Sequence, residues 1–411
     1  MAAGDLSNLN GMFKVVYADK LLDLVPDFAV LQKLVDFAPA DKLTGNYYAQ
    51  PVALTHEAGF TYLGTSGVVS SLNAAVSHVT KEAQVTPSEM ILRSQLSYTA
   101  LSRAASAGQR AFKRASSWLV EEMNNSMRKR LEIELLYGQT GVATIDSVST
   151  NDLTITTGSW AGGIWAGAEG MTVECYSGIT GSDTKRATFN GLITAINSDT
   201  RVISVTDGTN AVAGDVLYFA GSRTASAFNG MAGLDKIVTN TGTLFNIAAN
   251  TYALWKGSTV SSVGALSFTK IQDAISKAVN KGLMEKCLVL LSPKAWAVLA
   301  SDQASLRVFD GSYSSKKFEN GSESIVFHGP NGALEIRAHP FCKDGDAFIL
   351  PMERVCRLGS VDLTFSVPGF DQEFFRLVTD KNAVELQCMA DQAIFLEKPA
   401  HAVKMTGITY S

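Results

Sequence analysis

The sequence predicts an α+β fold with an extended two-stranded loop, one long helix, a mixed α/β body and an inserted small all-β domain. Three observations predict it. Residues 47–102 have the texture of extended chain, and Gln109–Tyr137 spaces its apolar residues as a helix does. Gly141–Ser222 divides into about six short β-rich runs separated by turn residues.

Composition narrows the function classes. The 411 residues carry 35 Lys+Arg against 39 Asp+Glu, a net charge of -4. Apolar residues make up 46% and charged residues 18%, below the roughly 25% charged of an ordinary soluble domain. The length suits about two or three domains with cores of their own. Near-balanced charge leaves no basic field for gripping nucleic acid. No stretch approaches the ~18 consecutive apolar residues of a membrane helix, and Met1–Leu9 lacks the basic-then-apolar order of a secretory signal. A lightly charged, apolar chain is expected to set much of its surface against other protein.

Cys175, Cys287, Cys342, Cys356 and Cys388 are odd in number and scattered, with no CxxC pair. This favours an intracellular origin over a disulfide framework and gives no zinc spacing. His56, His78, His328, His339 and His401 are equally dispersed, so no metal and no cofactor is expected.

Along the chain, Phe13–Phe37 reads as two short helices broken at Pro26, which removes a donor and biases Val25 out of the α region. Tyr47–Leu63, rich in aromatic and β-branched residues, reads as a strand that would reach ~55 Å at about 3.3 Å per residue. Met90, Leu92, Leu96 and Tyr98 alternate with Glu89, Arg93, Gln95 and Ser97 in the period of a half-buried strand. With the polar stretch Gly64–Pro87 as its tip, this region reads as a projecting hairpin. A lone hairpin is marginal in water, so a partner surface is expected to hold it.

Gln109–Tyr137 is the clearest helix, with Leu119, Met123, Met127, Leu131 and Leu135 on one stripe. At about 1.5 Å per residue it spans ~43 Å. Glu122, Asn125, Lys129 and Glu132 fall on other faces, Arg128–Glu132 and Arg130–Glu134 are i,i+4 pairs, and Gly138 reads as a left-handed stop. The β-rich runs are Val142–Val148, Leu153–Thr157, Met171–Tyr176, Thr188–Ile196, Val202–Thr206 and Val216–Phe219, a pattern of a small sandwich or barrel. Beyond it, a helix is expected within Phe268–Gly282, then a buried strand at Cys287–Leu291. Ser292 should cap a helix from Pro293 to Ala300. Ala333–Ala338, Ala347–Leu350, Val384–Met389, Gln392–Leu396 and Val403–Thr409 read as strands.

Nothing in the sequence points to an enzyme. There is no GxxxxGK[ST], and Gly162–Gly167 lies among turns. No GxSxG elbow occurs, and Glu121–Glu122 is read as a solvated helix face. Arg128, Lys129 and Arg130 point three ways round the helix, interleaved with Glu132 and Glu134, and are read as ion-pairing with neighbours, with nucleic-acid contact the lesser alternative. Trp160, Trp165 and Tyr176 are candidate contacts of the inserted domain. They would stack on sugars if the chain were a carbohydrate-binding adhesive protein, although buried packing is the commoner role of aromatics.

The order of parts resembles the major capsid protein of tailed double-stranded DNA bacteriophages, the Hong Kong 97-type fold. Leu135-Leu136-Tyr137-Gly138-Gln139-Thr140-Gly141 is similar to the end of that family's spine helix. Asn229-Gly230-Met231-Ala232-Gly233-Leu234 is similar to its entry into the axial (A) domain. Leu290-Leu291-Ser292-Pro293-Lys294-Ala295-Trp296 resembles its strand-to-helix step, and Glu397-Lys398-Pro399-Ala400-His401-Ala402-Val403-Lys404 its closing strand.

The resemblance implies an N-terminal arm at 1–45, an extended loop (E-loop) at 46–104 and a spine helix of the peripheral (P) domain at 105–140. It further implies an inserted β domain at 141–225, an A domain at 226–356 and C-terminal strands of both domains at 357–411. The protein would be a non-enzymatic shell subunit of the virion, assembled in the host bacterial cytoplasm as hexamers and pentamers. Portal and scaffolding proteins are implied as partners, a decoration protein is an optional one, and packaged double-stranded DNA would be held without sequence-specific binding. No membrane is involved. Because the arm begins almost at Met1, a separate scaffolding protein or prior cleavage is implied. Subunit contacts would come from Tyr47, Tyr48, Phe60, Tyr62, Met90, Leu92, Leu96 and Tyr98 of the loop and from Arg128, Lys129 and Arg130. An encapsulin-like compartment shell is the alternative. Some members of the family crosslink a loop Lys to an Asn, roles that would fall to Lys81 and Asn382. The position of the assisting carboxylate is Met389 here, so no crosslink is expected.

Overall fold

The computed structural model describes residues 30–38, 46–65, 67, 69–99, 115–301, 324–329, 332–366, 375–378 and 381–410. The chain divides into two compact units. One holds Ile91–Met127 and Phe365–Cys388; the other holds Pro26–Met90, Arg128–Thr364 and Met389–Ser411.

The first three strands are β1 (Tyr48–Ala53), β2 (Thr80–Val85) and β3 (Ser88–Ser97). A helix over Ala115–Tyr137 follows, then β4 (Ala143–Ser149), β5 (Asp152–Ile155), a one-turn helix Gly162–Trp165, β6 (Thr172–Tyr176), β7 (Asn190–Asn197), β8 (Val202–Asp207) and β9 (Val216–Phe219). After the short helix Leu234–Thr239 come β10 (Thr243–Leu244), β11 (Ile247–Ala248), β12 (Ser258–Val260), the helix Phe268–Val279, β13 (Cys287–Leu291) and the helix Pro293–Ser301. The last strands are β14 (Ser324–Gly329), β15 (Gly332–Ala338), β16 (Asp346–Leu350), β17 (Val355–Thr364), β18 (Phe375–Leu377), β19 (Ala383–Leu396) and β20 (Val403–Thr406).

Six strands close into a barrel in the order β4-β5-β8-β7-β6-β9. Alternation drives it: along β5 and β8 every second residue is buried, so Leu153, Ile155, Ile203 and Val205 fill the interior while their neighbours face outward. Thr150 and Arg201 take positive φ where the β4–β5 and β7–β8 hairpins reverse, and Asn210 does so in the β8–β9 connection. All six runs expected between 142 and 219 are strands, and closure into a barrel settles the choice against a sandwich.

A six-stranded sheet, β12-β20-β16-β13-β15-β14, forms the body of the large unit. Every residue of β13 and β16 is buried, as suits central strands covered on both faces. The helix Phe268–Val279 sets Phe268, Ile271, Ala274, Ile275 and Ala278 on this core, capped by the Ser267 hydroxyl, which accepts from the Lys270 N–H. Ser292 caps the next helix as expected, accepting from Ala295 N–H at 3.2 Å. The two strands expected at 384–389 and 392–396 are one, β19. Its Leu386 faces Phe375 of β18, and farther along its Leu396 faces Val355 of β17.

Three expectations need correction. Tyr47–Leu63 is not one strand paired with Met90–Tyr98: only β1 forms, and its partner is β2, Tyr48 opposite Val85 and Ala53 opposite Thr80. β3 pairs with β19 instead, Tyr98 N–H donating to Asn382 O at 3.4 Å. The polar run Thr80–Val85 becomes a strand because Ala83 and Val85 bury in a cluster with Leu54, Trp255, Leu358 and Phe395, an override of propensity by packing.

Second, Gly138 is not the left-handed residue; Gln139 is, at φ 67°. Glycine is required at 138 by close approach, since a Cβ there would lie 2.2 Å from Met231 O. Third, Glu132 does not pair with Arg128 on a wet face. It is 0% exposed, because from Leu131 to Tyr137 the helix is buried on every side. The expected helix before Val25 and helical residues 109–114 lie outside the described residues.

Candidate assembly surfaces

The hairpin has two halves of opposite character. At its base, Phe395 is the hub of an aromatic cluster, with Tyr48, Phe245 and Trp255 ring centroids 6.3, 5.8 and 6.4 Å away. Gln84 N–H donates to Phe245 O, so β2 is tied to the body as well as to β1. Beyond Ala53 the two arms stay side by side through sparse bonds: Leu54 N–H to Val79 O, Ala58 N–H to Val76 O, and the Asn73 side-chain amide to Phe60 O. Among the described residues, nothing covers this distal half. Tyr62 is 94% and Val69 100% exposed, and Phe60, Leu63, Leu72 and Val76 are exposed with them. From Ala58 to Ser77 there is no charged residue. An exposed apolar stretch without charge is the mark of an interaction surface.

The expected contact residues therefore separate. Phe60 and Tyr62 are free for a partner. Tyr47 and Tyr98 are exposed, and Met90, Leu92 and Leu96 are half-buried. Tyr48 packs into the base cluster and is a structural residue of this chain.

The barrel is seated firmly. The Arg130 guanidinium lies 3.2 Å over the Phe219 ring, and Lys129 Nζ donates to Ala166 O. Burial lowers both side chains below their ordinary values, Arg130 to about 10, and pushes its partner Glu134 up, 3.8 Å away. On a second side, Asp344 N–H donates to Trp160 O and Gly345 N–H to Gly158 O, both at 2.8 Å. Lys129 and Arg130 thus hold this chain's own barrel rather than a neighbour, a correction to their expected role, and only Arg128 keeps a half-exposed side chain uncommitted to it. Trp160, Trp165 and Tyr176 are buried, the two indoles stacked on each other at 6.4 Å. They cannot reach a sugar or a partner, which removes the observation behind the adhesive reading.

Sequence reasoning missed two buried sites. Lys404 Nζ donates to Asp235 Oδ1 at 2.6 Å and lies 3.2 Å from Asp346 Oδ2, joining β20, β16 and the Leu234–Thr239 helix. Burial opposes the Lys404 charge, but the two carboxylates outweigh it and hold its pKa above the ordinary lysine value. The other is the seat of the helix Val30–Leu34. Glu132 accepts from Leu31 N–H at 2.6 Å and Gln32 N–H at 3.2 Å at its start, while Arg357 donates to Val35 O and Gln32 O near its end. Opposite charges at opposite ends complement the helix dipole. The one available signal was the run Leu131–Tyr137, apolar on all sides apart from two glutamates, which must then be partnered.

Neither a protein-family model nor any curated protein matches the sequence. Solved structures do match in fold. The chain in the Cyanophage A-1(L) capsid asymmetric unit superposes with a TM-score of 0.58 at 10% identity, covering 97% of this chain and 98% of that one. The capsid of the empty GTA particle gives 0.54 at 10% identity, over 99% and 100%. The capsid of the native GTA particle gives 0.51 at 6% identity, over the whole of both chains. At such identities the likeness is one of fold: a mixed α/β chain folded end to end like these capsid chains.

Proposed function

We propose that this chain is a major capsid protein of Hong Kong 97 type, the repeating, non-enzymatic structural subunit of an icosahedral bacteriophage head that encloses double-stranded DNA. One observation carries the reading: a chain with the fold of capsid chains leaves an uncharged, apolar hairpin end uncovered. In a shell of hexamers and pentamers, the distal half of the hairpin lies over a neighbouring subunit, which supplies the cover missing in the single chain. The extended loop is then 46–104, the spine helix 105–140, the A domain 226–356 and the terminal strands 357–411. The barrel is an inserted domain, 141–225, that braces neighbours or seats a decoration protein on the outer face. Portal and scaffolding proteins complete the head, the genome is contained rather than read, and the finished product is a virion. Low net charge suits a subunit repeated many times, because self-repulsion accumulates over a shell.

Negative-stain microscopy of the purified protein, with its scaffolding partner where one is needed, is expected to show closed shells. A chain that stays monomeric under all assembly conditions would contradict the proposal. Assembled shells boiled in detergent should run as monomer, since Met389 stands where a crosslinking site needs a carboxylate; a ladder would refute that part alone.

A further inference from the structure

We infer that the seat of the segment 30–38 and the seat of the barrel form one coupled device, joined through Glu132, His339 and Phe341. Docking or release of that segment is felt at Gly158–Ala166. Four contacts in series make the link. Glu132 Oε1 is shared: Leu31 N–H donates to it at 2.6 Å and His339 Nε2 lies 2.9 Å away. On the other side of the imidazole, Phe341 N–H donates to Nδ1 at 3.2 Å. With Nδ1 accepting, the ring proton sits on Nε2 and points at Glu132, so a single neutral tautomer serves both bonds. The Phe341 ring packs edge-on against the imidazole, centroids 5.5 Å apart. It also lies against the barrel's one-turn helix, where a Cβ on Gly163 would come within 2.9 Å of the ring and 2.7 Å of Pro340 O. The same loop then donates its Asp344 and Gly345 N–H groups to Trp160 O and Gly158 O.

The coupling has a physical cause. Glu132 and His339 are both 0% exposed. When the 30–38 segment leaves, Glu132 loses the N–H groups of Leu31 and Gln32 and keeps only His339. A buried carboxylate stripped of donors is costly and must turn or draw in water. The imidazole is fixed to that carboxylate at one nitrogen and to the Phe341 backbone at the other, so it cannot stay in place while its partner moves. Close-packed interiors shift between discrete arrangements rather than bending gradually, and the loop from His339 to Gly345 carries the shift to the barrel seat. Coupling of this kind is reciprocal, so a disturbed barrel seat loosens the 30–38 segment in turn.

Hydrogen exchange on the full chain tests the link. Leu31→Ala removes a buried side chain of the segment while keeping the backbone N–H that donates to Glu132 and leaving Glu132, His339 and the loop residues themselves unsubstituted. Exchange should quicken at residues 31–38 and, by at least about fivefold, at Ile164 and Ala166 of the barrel seat. Glu132→Gln, which cannot accept from two backbone N–H groups and the imidazole in the same way, should quicken both segments more. From the opposite side, Phe341→Leu should quicken Leu31 and Val35. If Leu31→Ala loosens 31–38 and leaves Ile164 and Ala166 at wild-type rates, the two seats are independent and the inference is wrong. Should one variant fail to fold, the other two still decide, because each enters from a different point of the chain of contacts.

Discussion

The barrel and the distal hairpin are both β excursions from one body, yet they solve the edge problem in opposite ways. The barrel pairs β9 back to β4, so no strand edge is left open, and its alternate residues fill the centre. The hairpin pairs only β1 with β2 and then runs on with sparse bonds and its apolar side chains outside. Closure lets the barrel bury its apolar residues within one chain; the open hairpin end leaves its own exposed, and the proposed assembly would cover them. A self-sufficient element resists core mutation poorly and surface mutation well, and an element completed by a neighbour should show the reverse.

The largest expected effect follows from that contrast. Removing Ala58–Ser77, or changing Phe60, Tyr62 and Leu72 to serine together, should abolish shell formation. The stability of the unassembled chain should move only slightly, since exposed substitutions usually cost within about 0.5 kcal/mol each. Electron microscopy and urea unfolding on the same preparations separate the two readouts. Next in size is Lys404→Ala, which leaves Asp235 and Asp346 buried without their cation. A loss of about 3–5 kcal/mol is expected in denaturant titration. Leu217→Ala in the filled barrel should cost about 2–5 kcal/mol, whereas the same change at exposed Leu72 should cost little. Equal costs at the two leucines would erase the distinction between the regions.

The smallest effect concerns acid. Burial pushes the Glu285 carboxyl up, but hydrogen bonds from Arg354 and from the Glu285 and Met284 N–H groups, with His401 nearby, outweigh it and hold it at about 2. A carboxyl depressed by folding adds stability above its unfolded value, about 4.3, and loses that contribution as pH falls toward 2. Between pH 5 and pH 3 the wild type should therefore lose more stability than Glu285→Gln. A larger loss in the variant would reverse the sign of this interaction.

The barrel was readable in the sequence almost strand by strand, because each run is short and ends at turn residues, and β5 and β8 alternate cleanly. The strand Cys287–Leu291 and its Ser292 cap were equally plain, being local signals. The register of the hairpin was not, since Thr80–Val85 carries no alternating apolar pattern and is held as a strand by Phe395, far away in sequence. The basic triplet misled for a related reason. Charge on a helix suggested solvent or a neighbouring subunit, but Arg130 stacks on Phe219 and Lys129 finds Ala166 O, contacts that exist only once the barrel has folded back on the helix. Of the surface proposed for assembly, Phe60, Tyr62 and Tyr48 all belonged to the aromatic and β-branched run Tyr47–Leu63, and only the distant Phe395 cluster, which takes Tyr48, separates them.

Sedimentation velocity over a rising concentration series, combined with hydrogen exchange at Ala58–Ser77, tests the central claim most directly. Assembly into large particles, with protection of that stretch gained only in the particles, is the predicted result. A well-folded monomer at every concentration, with Ala58–Ser77 already protected, would contradict it.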